Sequence, residues 1–234
     1  MATYNGSIFI KEQIESILEQ LSAFDELIIS DDGSTDNTLN IIKNIDDNRI
    51  KIYKNSGVRG YSGNFENALS LASGEVIFLS DQDDVWFPNK VAICLKELEK
   101  SDFVVHNAKV VDAQLQCLIT SYFDYRKVKV GFVPNFFKIG YLGCCMAFKR
   151  KVLDIANPMP LVSKVITHDS WLTLVSELYF KVSLIDEPLI LYRRHGSNVS
   201  NGGASEGNSL VFKLYIRVFT LVKLISRFRI RQGK

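Results

Sequence analysis

An α/β fold, with a Rossmann-like and mostly parallel sheet flanked by helices, is predicted by three observations. Apolar strand-like runs alternate with amphipathic helical segments through the first hundred residues. Two of those runs end directly in acid-rich turns, ELIIS in DDGSTDNT (31–38) and EVIFLS in DQDD (81–84). The chain has 234 residues, 47% hydrophobic and 23% charged, which suits one large domain with a full core and excludes extensive disorder.

The elements follow in order. SIFIKEQIESILEQL (7–21) places apolar residues at 10, 14, 17, 18 and 21, a helical spacing, and ELIIS (26–30) reads as a buried strand. Asp36 caps a short helix over TLNIIKNI, RIKIY (49–53) is a strand, and NFENALSLAS (64–73) is a helix ended by Gly74. EVIFLS is a strand, and Pro88 starts a helix over 89–100. MATYNG reads as the end of a further strand running into a helix.

Beyond residue 101 the alternation loosens. DFVVHNAKVVD reads as a strand, LGCCMAFKR (142–150) as a strand entering a helix, and HDSWLTLVSELYF (168–180) as a helix. KVSLIDEPLILYRRHG reads as two short strands broken at Pro188. The expected organisation is a domain over 1–195, divided near residue 100, then a Gly/Ser/Asn-rich flexible linker (196–209) and a tail helix (210–234).

Parallel α/β sheets bind ligands beyond the carboxyl ends of their strands. Three such ends present Thr3, Tyr4 and Asn5; Asp31, Asp32, Gly33 and Ser34; and Asp81, Asp83 and Asp84 on one rim. Carboxylates at i, i+2 and i+3 of a turn repel one another unless a cation is shared among them. They therefore suggest Mg²⁺ or Mn²⁺ together with a nucleoside diphosphate. Helix capping by Asp83 or Asp84 is the plainer alternative.

Other chemistries are excluded by missing parts. The DDGS loop has neither the spacing of an EF-hand nor the lysine of a P-loop, and no G-x-S-x-G elbow occurs. The Gly-rich basic loop of a nucleotidyltransferase is missing after the first strand. Two carboxylates of a glycoside hydrolase would leave the rest of the rim unexplained.

TYN, SDDGSTD and LSDQDD, in that order over residues 1–200, resemble the inverting nucleotide-sugar glycosyltransferases of family 2, which have the GT-A fold. The resemblance implies that Thr3, Tyr4 and Asn5 line the nucleotide pocket and that Asp32, with Asp31, reads a pyrimidine base. Asp81-Gln82-Asp83 would be the DxD element, contributing Asp81 and Asp83 to the metal, with Asp84 near the donor sugar. Asp169 in THDSW would be the base, and His168 stands where relatives often carry Glu, on the substrate side. His195 in YRRHGSN would be a late metal ligand, with Arg194 or Arg193 pairing with phosphate.

The same resemblance places Asn64 at a nucleotide-contacting position where many relatives are basic, with Gly60 and Gly63 allowing close backbone approach. Gly143 would lie on the acceptor side, and Trp86 would stack on a sugar ring unless it belongs to the core. The phrases SDQDDVW and YRRHGSN look most like bacterial rhamnosyltransferases of surface polysaccharides. The expected donor is dTDP-rhamnose or a UDP-sugar, and the acceptor a lipid-linked or growing saccharide. By the resemblance most of a first strand would precede Thr3. Either the start lies upstream, or the chain is an impaired nucleotide-binding paralogue acting as a membrane-associated scaffold.

Residues 210–234 carry seven basic residues and no acid, while the remainder has 21 basic against 26 acidic side chains. Lys213, Arg217, Lys223, Arg227 and Arg231 fall within about 120° of arc with Thr220, opposite Leu, Val, Ile and Phe. The segment reads as an amphipathic helix on an anionic membrane surface, not a span and not a nucleic-acid binder. Four cysteines without metal spacing, two of them adjacent, and the lack of a signal-peptide pattern predict a cytoplasmic protein held at the inner face of the membrane.

Overall fold

The computed structural model describes residues 1–162, 166–196 and 209–232. Strands β1 (Ala2–Thr3), β2 (Leu27–Asp31) and β3 (Ile50–Lys54) form a parallel sheet in that order. The crossovers are α1 (Ile10–Leu18) and α2 (Thr38–Lys43), and α3 (Tyr61–Leu71) follows β3. Ile10, Ile14 and Ile17 bury one face of α1. Gln13 on the same face is buried because its amide donates to Ser80 Oγ (2.8 Å) and to the Asp81 carbonyl (3.0 Å).

The second sheet runs in the order β4 (Val76–Phe78), β8 (Met146–Lys149), β6 (Phe103–Val111), β9 (Val182–Arg193), β5 (Val85–Trp86), with β7 (Cys117–Ile119) on β6. Only β6 and β9 pair in parallel; the other ladders are antiparallel. The α/β expectation holds, but parallel pairing is confined to the first sheet and to β6–β9. Helices α4 (Lys90–Leu98), α5 (Tyr122–Arg126), α6 (Phe132–Phe137), α7 (Arg150–Ala156) and α8 (His168–Tyr179) pack around this sheet.

Pro188 does not break its strand. The β6–β9 register slips where Asn107 meets Pro188, and Asn107 Nδ2 donates to the Asp186 carbonyl at 3.0 Å. The missing proline N–H thus falls at an irregularity, where no ladder bond is lost. All four cysteines are free thiols.

Helix α9 (Leu210–Gln232) lies on the domain. Its docked side carries Thr220, Leu224 and Arg227, all buried: Tyr179 Oη donates to the Leu224 carbonyl, and Arg227 donates to the Pro158 carbonyl. Of the basic stripe, Arg227 is thus turned toward the domain, while Lys223 is exposed and Arg217 half-buried. The linker expected over 196–209 falls almost wholly outside the described residues. Among the described residues no helix is long and apolar enough to cross a membrane.

One side chain joins the two sheets at the rim. Thr3 Oγ1 and Tyr4 N donate to Gln82 Oε1 (2.6 and 2.8 Å), and Gln82 Nε2 donates to the Tyr4 carbonyl (3.1 Å). A Cβ at Gly6 would sit 2.4 Å from Gln82 Oε1, so any larger residue there would displace that amide from its bonds to Thr3 and Tyr4. Gln82→Ala should lower the unfolding free energy by about 2 kcal/mol in urea titration, because two donors and an acceptor lose their partner.

Candidate active site

The first rim loop is held by the second. Asn5 takes φ 47°, its N–H donates to Ser34 Oγ (2.9 Å), and its Oδ1 accepts from Thr35 N (2.8 Å). Asp31 is consumed within its own turn, accepting from Gly33 N and Ser34 N (both 2.9 Å) and from Ser34 Oγ. Asp32 reaches outward instead, accepting from Asn55 Nδ2 (2.7 Å) and Gly60 N (2.8 Å). Tyr4 is exposed above them, while buried Asn64 donates to the Thr3 carbonyl at 3.1 Å from beneath. Of these residues, Tyr4 and Asn5 are exposed and Asp32 is half-buried.

The carboxylates beyond β4 sit in a tighter place. Asp84 is 0% exposed; its Oδ1 accepts from Arg193 N at 2.9 Å, and its Oδ2 is buried without a hydrogen-bond partner. Asp83 Oδ2 lies 2.8 Å from His195 Nε2. Burial first, then the charges of Asp83 and Asp169, push the Asp81 carboxyl from 3.8 up to about 7. Burial and the neighbouring Asp83 hold Asp84 well above the usual carboxylate range.

These residues fit a hard divalent cation. Asp81, Asp84 and Cys144 each bring a potential ligand atom within 4.8 Å of the others, and one Asp84 oxygen there has no partner. The hydrogen bond with Cys145, together with burial, raises the Cys144 thiol far above its ordinary value, and a hard cation prefers the carboxylate oxygens beside it. Asp83 and His195, expected from the sequence as further metal ligands, lie outside this cluster and meet each other instead, at 2.8 Å.

Arg193 takes no part in binding phosphate. It is buried, donating from Nε to the Asp83 carbonyl (2.7 Å) and from its terminal nitrogens to the Ala113 carbonyl (2.8 Å) and Glu12 (2.5 Å). It clamps the DxD turn to α1, and Glu12, which sequence reasoning passed over, is its ion-pair partner. Arg194 is half-buried beside Tyr192, with its guanidinium 6.0 Å from the ring.

Asp169 stands in the first turn of α8, inside a capping box of Thr167 and Ser170. Its Oδ1 accepts from Thr167 Oγ1 and from Ser170 N (2.8 Å), which leaves Oδ2 as the oxygen beside Gly143. A Cβ at Gly143 would lie 3.2 Å from Asp169 Cβ and 3.4 Å from His168 Nε2, so glycine allows this approach. Thr167, absent from the sequence-level site, fixes the orientation of that carboxylate.

Two expected substrate contacts are corrected. Trp86 is 5% exposed, with Lys90 Nζ 3.9 Å above its ring and Phe78 at 5.8 Å, so it belongs to the core. His168 is buried, stacked on Phe65 at 4.0 Å and edge-on to Tyr61, and burial lowers its pKa so that it is neutral. Its imidazole packs α8 on α3 and does not replace the missing acid.

The architecture is that of a GT-A glycosyltransferase, with an acid-rich rim at the strand ends. The family profile described as Glycosyl transferase family 2 matches residues 1–155, and the chain belongs to that family. It is 31% identical over 217 residues to the dTDP-rhamnosyl transferase RfbG of Shigella flexneri, covering 85% of this chain and 72% of RfbG. It superposes on Staphylococcus aureus TarS 1–349 in complex with UDP-GlcNAc with TM-score 0.71, at 20% identity, over 95% of this chain and 64% of TarS 1–349. A Pyrobaculum calidifontis mannosyltransferase in complex with GDP-Man and Mn²⁺ gives TM-score 0.60 at 21% identity, over 100% of this chain and 63% of that one. The chain thus spans less than two thirds of each of these two solved chains.

The raised Asp81 pKa has a stability consequence. Its folded value lies above its unfolded one, so the penalty is negligible below about pH 3, grows as pH rises through the unfolded value of 3.8, and is complete above about 7. In EDTA at pH 8, Asp81→Asn should therefore stabilise the protein by up to about 4 kcal/mol in thermal melts, and should have no effect at about pH 3. Mn²⁺ should raise the melting temperature of the wild type more than that of the variant.

Proposed function

We propose that this chain is a metal-dependent, inverting glycosyltransferase that moves a sugar from a nucleoside diphosphate to a saccharide or lipid-linked acceptor. The observation that carries the reading is the meeting of Asp83 and His195 at 2.8 Å, 112 residues apart in sequence, beside Asp81 and the buried Asp84. Crowded carboxylates with an adjacent imidazole are the donor set that a divalent ion bridging two phosphates requires. The donor is dTDP-rhamnose, supported by the likeness to RfbG, with a UDP-sugar as the second choice.

Asp32 and Tyr4 receive the nucleotide, Asp32 from its place among Asn55 and Gly60 and Tyr4 from its exposed position on the first loop. Asp81, Asp83 and His195 would hold Mn²⁺ or Mg²⁺, which when bound would supply Lewis-acid stabilisation of the leaving diphosphate. Arg194 is the remaining cation for the phosphates. Asp84, fixed by the Arg193 backbone, orders the turn below the sugar. Across the site Asp169 Oδ2 takes the acceptor hydroxyl proton, with Thr167 and Ser170 holding the other oxygen. Attack from the face opposite the diphosphate gives inversion.

The setting is the cytoplasmic face of the membrane, supported by the basic tail, with the acceptor delivered from an anionic leaflet. The scaffold alternative separates by turnover: a scaffold would bind nucleotide and metal without transfer. Calorimetric titration with dTDP and with UDP, each in Mn²⁺ and in EDTA, should give metal-dependent binding that prefers one nucleotide. Asp83→Asn should abolish that binding. Asp169→Asn should leave nucleotide affinity within twofold and lower kcat by about 10³-fold or more, the range expected when a general base is lost. Wild-type turnover by Asp169→Asn would remove Asp169 from the mechanism.

A further inference from the structure

Because α9 docks through Thr220, Leu224 and Arg227, its opposite side faces outward. Val211, Leu214, Tyr215, Val218, Val222 and Ile225 are all exposed, and at 3.6 residues per turn they share about 100° of arc. On the same wheel Arg217 borders one edge of this stripe and Lys223 the other. An unpaired helix face in water is ordinarily polar, so a stripe this apolar implies a covering phase.

A second apolar group adjoins it. Residues 125–138, YRKVKVGFVPNFFK, carry four basic residues and no acid. They expose Tyr125, Val130, Val133 (65%) and Phe137 (60%). The Arg217 guanidinium lies 5.0 Å from the Phe137 ring, which makes the two surfaces continuous. The segment is anchored: Glu177 of α8 accepts from Gly131 N (3.0 Å), from Asn135 Nδ2 (3.4 Å) and from the Tyr141 hydroxyl.

We infer that α6, its basic flanks and the outward face of α9 form a single docking surface for an anionic lipid bilayer. Apolar side chains enter the boundary between headgroups and acyl chains while the lysines and arginines around them meet lipid phosphates. A second copy of the chain is the poorer occupant, since face-to-face pairing would set basic edges against each other. The inference rests on the membrane reading proposed above and adds a second element to it. Both elements are fastened to α8, α6 through Glu177 and α9 through the Tyr179 to Leu224 bond. Asp169 lies eight residues before Glu177, about 12 Å along the helix, so docking would orient the base toward an acceptor held in the leaflet.

The test is sedimentation of the full chain with phosphatidylglycerol-containing vesicles and with pure phosphatidylcholine vesicles. The proteins are wild type, Val130→Asp/Val133→Asp and Val218→Asp/Val222→Asp, with far-UV circular dichroism and thermal melts confirming the fold. Wild type should bind the anionic vesicles in a salt-sensitive way, and each double variant should lose at least tenfold in apparent affinity. If the 130/133 variant bound like wild type while the 218/222 variant did not, the second element would be wrong and the tail reading would stand. Failure of wild type to bind any vesicle would overturn both. A dimer in sedimentation velocity that Val218→Asp/Val222→Asp dissociates would assign the face to a second copy.

Discussion

Three carboxylates within four residues, at a strand end where burial penalises charge, are the constraint around which this molecule is arranged. Asp84 has no exposed surface and one oxygen without a partner. Isolated, such a group would simply remain protonated. Burial and the neighbouring acids hold Asp84 toward its protonated form, while β9 grips the turn: the Arg193 main chain donates to Asp84, its side chain donates to the carbonyl of Asp83, and His195 meets the Asp83 carboxylate. The last residues of β9 are thus brought onto the β4 turn, which fixes the path of the second sheet as well as the donor set. In the proposed function a divalent cation would supply what the protein side chains leave out.

The joint between the sheets depends on the same turn. Gln82, between two of these acids, reproduces with its amide the donor and acceptor pattern of a strand toward Thr3 and Tyr4. Gln13 donates from below, through its amide nitrogen, to Ser80 Oγ and to the Asp81 carbonyl. The 81–84 turn is therefore held from both sides by neutral amides, which bond without adding charge to a site already crowded with it. At the start of α8 the logic is simpler: a capping box orients one carboxylate at a helix N-terminus.

Most of the first hundred residues could be read from periodicity, because β1 and β2 are buried throughout, β3 alternates half-buried with exposed residues, and α1 and α4 each bury one face. The second half was harder for physical reasons. Strand β9 crosses Pro188 at a register slip, which no local pattern announces, and antiparallel partners arrive from distant sequence. The acid-rich strand ends were legible, since like charges at the tip of an apolar run are unfavourable without a purpose. The roles of Trp86 and His168 were not, because an aromatic ring serves core and sugar equally well until its neighbours are known. Arg193 and Arg194 are adjacent and chemically alike, and only the fold tells that the first is spent on Glu12 and Asp83. The tail helix was legible as a helix with two faces, but not the choice of face: its docked side uses Arg227 and Thr220, satisfied by a carbonyl and by the helix itself.

The central claim is that Asp81, Asp83 and His195 bind one divalent ion. Pulsed electron paramagnetic resonance of Mn²⁺ added to the protein with dTDP tests it directly, since nuclear modulation reports a coordinating imidazole nitrogen. The account predicts one tightly bound Mn²⁺ with nitrogen coupling that disappears in His195→Gln. Bound Mn²⁺ with no nitrogen coupling would remove His195 from the donor set, and no bound Mn²⁺ in a folded, nucleotide-loaded protein would contradict the metal site itself.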